Sequence, residues 1–333
     1  MTLQGIARFF FLTSMAMALL MVFQFAAPAE AWINAVTGGE GLGQPGVWGK
    51  VRPSGFFAAA TGPVFMLPLT AALAFSLLLD PRRRFKQLAV MAIFCVTIAT
   101  AVSISRTLVY SIAPPFVVFL VVGATRHQLG PRALAAFGLM ALLAATLLAI
   151  PVAREGLQAM TARFDDADRI EGGAVVRAES VFGGFWERLD SAPSRGIGIG
   201  MATNAASYYL HRDLGFELAE YEWDRAVVEL GPILGPLYIL GRIALGVFLG
   251  VVALRALGAG RELPMLVYAG TWHVFFVGQW APPTVLGFAV LCGGLILAQG
   301  PRSPRPVPAA RIAARAVHPW PRARLARGRA RTR

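Results

Sequence analysis

Long apolar runs separated by short polar turns make up most of this chain, and one polar stretch interrupts them. The runs cover 9–28, 56–79, 87–104, 107–124, 133–152, 226–252, 264–280 and 284–299. A helix needs roughly 20 apolar residues to cross a bilayer core, and each run is near that length. The pattern predicts an all-α, polytopic integral membrane helical bundle of about eight transmembrane helices. The interruption runs from Ala153 to Arg225 and forms one large loop between spans five and six. It holds 13 of the 18 acidic residues and eight of the arginines. The chain therefore divides into five N-terminal spans (1–152), the large loop (153–225), three C-terminal spans (226–299) and a tail (300–333).

Composition agrees with this division. Only 15% of the 333 residues are charged and 56% are hydrophobic, whereas a soluble domain carries about 25% charged residues. The net charge of +13 could point to nucleic acid, but its distribution argues against that. Ten arginines and no acidic residue lie in 301–333, so one segment carries most of the excess. That tail is rich in Arg, Pro and Ala. It reads as a disordered topogenic segment against anionic headgroups, or as a docking segment for a partner. Cys95 and Cys292 both fall in apolar runs and form neither a disulfide framework nor a metal pattern. No cofactor and no metal are expected.

The short loops set the orientation. Arg82, Arg83, Arg84 and Lys86 lie between spans two and three, Arg126 and Arg132 between four and five, and Arg255 and Arg261 between six and seven. With the basic tail, these fall on one side if both termini are cytoplasmic, as the positive-inside rule requires. The large loop is then external or periplasmic. Ala29-Glu30-Ala31 resembles a signal-peptidase site, but the run before it is longer than a secretory core, so a retained helix is expected.

Several polar residues stand at the expected external face. Arg106 ends Ser103-Ile-Ser-Arg106, a tight turn between spans three and four. It either binds a phosphate or diphosphate by paired hydrogen bonds or snorkels to headgroups. Arg52 lies in Val51-Arg-Pro-Ser-Gly-Phe56 before span two, as a second phosphate ligand or an ordinary loop residue. Glu222-Trp-Asp-Arg225 closes the large loop. If a helix begins near Glu222, then Glu222, Arg225 and Glu229 share one face. Glu222 is either a general base for a sugar hydroxyl or part of a helix-capping acidic cluster. Glu229 should face the bundle and pair with Arg225. Arg242, near the middle of span six, should point inward toward a carboxylate or carbonyls. His273 reads as a packing histidine and His211 as a surface one. Arg177 stands out within the loop, as does Gly196-Ile-Gly-Ile-Gly200. No strand precedes this glycine run, so it reads as a place where backbone passes close to another segment.

In order along the chain, four elements resemble the O-antigen ligase/polymerase superfamily, polytopic glycosyltransferases of the bacterial envelope. They are Arg52-Pro-Ser-Gly-Phe-Phe57, Ser103-Ile-Ser-Arg106, the Arg177…Trp186…Gly196-Ile-Gly-Ile-Gly200 progression and Glu229-Leu-Gly-Pro-Ile-Leu-Gly235. The resemblance spans about 50–299. It implies metal-independent transfer from an undecaprenyl-diphosphate-linked oligosaccharide to a glycan acceptor, in the bacterial inner membrane. Under it Arg52, Arg106, Arg177 and Arg225 bind substrate and Glu222 is the catalytic base. The chain departs from the ligases by reading Glu222-Trp-Asp-Arg225 where they carry His-Asn, which favours a polymerase. It also has fewer spans than family members, so an absence of the first few is expected. The alternatives are a polysaccharide or lipid transporter, or a non-catalytic scaffold of an envelope assembly system.

Overall fold

The computed structural model describes residues 3–35, 46–79, 85–126, 149–170, 172–202 and 221–300. Among these residues the fold is all-α, with nine helices and no sheet. They are α1 (Leu3–Ala26), α2 (Thr61–Leu79), α3 (Lys86–Val102), α4 (Arg106–Thr125), α5 (Pro151–Ile170), α6 (Gly173–Ser191), α7 (Glu222–Gly258), α8 (Leu263–Phe276) and α9 (Pro283–Ala298). Four of them, α1, α2, α4 and α7, are long and apolar enough to cross a membrane. They make this a multi-pass membrane protein. The shorter apolar helices α3, α8 and α9 bring the number of expected spans with an apolar helix to seven. The fifth span, expected over 133–152, falls almost wholly outside the described residues, as do His211 and the basic tail.

The core is the stack of α1, α2, α3, α4 and α8, with α2 at its centre, where 94% of its apolar window is buried. Phe75 stacks on Phe119 at a centroid distance of 4.8 Å, joining α2 to α4. Gly270 brings α8 against both: a Cβ there would lie 3.2 Å from Pro68 and 3.4 Å from Pro115. One end of the bundle is marked by Arg126, the C-cap of α4, which pairs with Glu262 and donates to the Leu257 carbonyl. Arg106 is at the other end of α4, about 30 Å away at 1.5 Å per residue.

The structure adds two changes to the expected pattern. Within the large loop, the described residues 153–170 and 172–202 include most of the amphipathic helix α5 and all of the amphipathic helix α6. Helix α5 turns an apolar face to α3 and α4. Gly156 meets the Ala101 carbonyl, and Phe164 meets the Tyr110 ring edge-on at 5.9 Å. Helix α6 lies against α7, with Phe185 on Trp223.

The second change concerns span six, which is not a straight run over 226–252. Helix α7 breaks at Gly231, at φ 84° and ψ 176°. The break reverses the chain: Gly235 lies against Ala226 and Val227, and Arg242 reaches Glu222, contacts a straight helix would forbid. A short half, 222–230, thus folds back on a long half, 232–258. Pro232 opens the long half at a position that needs no amide hydrogen.

The backbone region of Gly231 is open essentially to glycine alone. Gly231→Ala is expected to destabilise the protein by about 1–3 kcal/mol. Thermal unfolding in detergent measures this, and an unchanged midpoint would mean the reversal does not depend on that residue.

Candidate functional site

The reversal at Gly231 gathers four charged side chains into the bundle. Glu222, Arg225, Glu229 and Arg242 are each 9% exposed or less. As the sequence suggested, the helix begins at Glu222, which puts Glu222 and Arg225 on one face. Arg225 donates from Nε (2.9 Å) and Nη2 (2.6 Å) to Glu222 Oε2. From the long half, Arg242 Nη1 (2.9 Å) and the Tyr238 hydroxyl (3.1 Å) donate to Glu222 Oε1. Arg225 Nη1 reaches Glu229 at 3.4 Å.

The end of α8 completes the arrangement. The last carbonyls of a helix have no partner within it, and here each finds one. His273 accepts from the amides of Val277 and Gly278. Val274 accepts from Arg242 Nη2 (2.8 Å) and Trp280 Nε1 (3.0 Å). Phe275 accepts from Arg242 Nε (3.1 Å) and Phe276 from Trp223 Nε1 (2.9 Å). The guanidinium of Arg242 also lies over the Trp280 ring at 4.1 Å. A cation at a helix C-terminus is favoured by the helix dipole as well. Arg242 therefore finds both a carboxylate and backbone carbonyls.

The glycine run does for the short half of α7 what Arg242 and the indoles do for α8. Ile197 and Gly198 donate their amides to the Val228 and Glu229 carbonyls, at 3.0 and 3.1 Å. A Cβ on Gly196 would stand 2.2 Å from the Glu229 carbonyl oxygen, so only glycine lets the segments come this close. Ala202 donates to Glu229 Oε1 at 3.3 Å.

This geometry changes the reading of Glu222. Its four hydrogen bonds occupy both oxygens, so it has no lone pair left to take a substrate proton. It is the hub of the ion-pair network. Glu229 makes only long contacts, and its Oε2 accepts from Arg225 alone among the described residues.

Two other predicted residues, Arg106 and Arg52, stand at the same end of the bundle. Arg106 is the first residue of α4 and is partly buried. The two serines before it are structural. Ser103 Oγ donates to Thr100 O and accepts from the Ser105 amide, while Ser105 caps α4 through Leu108 N. Between them Ile104 is fully buried at φ 49°, a left-handed conformation costly for a β-branched residue. Arg52 is in a non-helical segment before α2. The neighbouring turn at Gly46 approaches Ile104, so this segment meets the turn that carries Arg106. Arg177 is on α6, with its side chain outside what the structure describes. His273 stacks on Phe65 at 5.9 Å, and its Nε2 has no hydrogen-bond partner among the described residues. Among those residues no three His, Cys, Asp or Glu side chains cluster to hold a metal ion.

Sequence reading missed Gln24, Tyr238, Trp223 and Trp280. The last three meet their partners only through the reversal and the end of α8. Gln24 had a signal, being a lone amide near the end of an apolar run.

Removing one partner of a buried ion pair leaves the other uncompensated. Arg242→Met is expected to cost about 3–5 kcal/mol, and adding Glu222→Gln should recover part of that loss. Unfolding midpoints in detergent test both. Independent, additive effects would mean that the two side chains do not act as a pair. No protein family, curated protein or solved structure was found to match this chain.

Proposed function

We propose that this protein is a metal-independent membrane glycosyltransferase of the envelope polysaccharide polymerase/ligase kind. It takes an undecaprenyl-diphosphate-linked oligosaccharide at the bundle end that carries Arg106 and Glu222. That end faces the periplasm of a bacterial inner membrane and both termini are cytoplasmic, following the basic short loops.

The observation that carries the proposal is the pairing of cationic and apolar features at Arg106. An apolar cavity of about 280 Å³ begins directly below the α3–α4 turn. It is lined among others by Thr100, Val109, Ile112, Ala113, Leu157 and Met160. An amphiphile with an anionic head fits such a place, with phosphate at the arginine and hydrocarbon below it. Arg106 and Arg52 hold the diphosphate, and Arg106 stabilises it as it leaves. Arg177, on the adjoining α6, is a third candidate. Arg225 is committed to Glu222 and Glu229, so its part is to hold the carboxylates. Glu229 takes the place first given to Glu222 as base for the acceptor hydroxyl.

One feature favours a second reading. Broken helices and irregular segments at membrane depth are common in transporters, and both α7 and the stretch before α2 are irregular. The sequence carries no internal repeat, which that reading would also call for.

Arg106→Ala should abolish glycan transfer while the protein still accumulates in the membrane. Normal transfer by that variant would overturn the assignment. In a strain lacking the gene, single repeat units in place of long chains identify a polymerase. Long chains stranded on the lipid carrier identify a ligase. An unchanged surface glycan favours the transporter or scaffold reading.

A further inference from the structure

The segment before α2 enters the bundle without forming a helix. Val51, Pro53, Gly55 and Ala60 are buried, and Gly55 sits against Met17 and Met21 of α1. Met17 is nine residues before the end of α1, about 13 Å along its axis. Non-helical backbone at such depth must find its hydrogen bonds within the protein.

One side chain supplies them at Gly55. Gln24 of α1 is 6% exposed. Its Oε1 accepts from the Gly55 amide at 2.9 Å, and its Nε2 donates to the Gly55 carbonyl at 3.4 Å and the Ile33 carbonyl at 3.2 Å. A single amide thus satisfies both backbone groups of one glycine. Asn34 ties the end of α1 through the Gln24 and Pro28 carbonyls. Earlier in the segment a turn closes from Gly46 N to Lys50 O, and Lys50 pairs with Glu155 of α5 at 3.1 Å. Arg52 lies between these two anchors, two residues after Lys50 and three before Gly55. No helix fixes its backbone.

We infer that Gln24 is a positioning residue for Arg52, holding the segment so that this guanidinium faces the anionic head of the substrate. The inference rests on the role given above to Arg52. Gln24 touches no reacting atom and acts through Gly55.

The test is a double-mutant cycle on the full-length protein in detergent, with an undecaprenyl-diphosphate oligosaccharide as donor. The variants are Gln24→Met, which keeps length and loses the hydrogen bonds, Arg52→Ala, and both together. Gln24→Met is expected to raise the donor KM about tenfold, the worth of one hydrogen bond to a charged group, with kcat little changed. Adding it to Arg52→Ala should change nothing more, because both act on one contact. Normal KM in Gln24→Met beside a defect in Arg52→Ala overturns this inference alone, as do effects that multiply. Normal KM in Arg52→Ala overturns the role of Arg52 and this inference with it. If Gln24→Met is not recovered folded, Gln24→Glu, which keeps the acceptor for the Gly55 amide, carries the same cycle.

Discussion

Burying two carboxylates and two guanidiniums in an apolar bundle is the demand that shapes one end of this molecule. Each ion taken from water costs several kcal/mol unless partners are in place. The reversal of α7 brings Glu222 to Arg242. The end of α8 turns its carbonyls toward the same guanidinium. The glycine run of 196–200 closes over the helix break and adds an amide near Glu229. Removing any one of these leaves a charge or a carbonyl without water and without a partner. The two halves of α7, the end of α8 and a loop are therefore bound to one arrangement by these ion pairs and hydrogen bonds.

Much of this architecture was legible in the sequence because the bilayer restricts what a chain can do. Apolar runs of the right length gave seven helices, and the acidic stretch at Glu222 marked the start of α7. The inward direction of Arg242 followed from the cost of facing lipid with a charge. The close approach at Gly196 was visible as a glycine run with no strand before it.

The rest was hidden for physical reasons. Ala226, Val227, Val228 and Leu230 run on into the apolar stretch after Gly231-Pro232 with only Glu229 among them, so hydropathy starts the span at 226 and shows no boundary where the backbone reverses. Polar residues in 153–191 hide two helices that use only one face each. Glu222 read as a base because sequence shows its proximity to Arg225 but not to Tyr238 and Arg242. Those two lie 16 and 20 residues further on.

The spacing of this network along the chain also orders its assembly. When Arg242 is synthesised, Glu222 already exists, but the carbonyls of Val274 and Phe275 follow 32 and 33 residues later. As it leaves the ribosome, the long half of α7 therefore carries a guanidinium with only part of its coordination. A charge in that state is poorly tolerated by lipid. The end of α8 therefore completes the coordination of a charge that α7 brings into the bundle first.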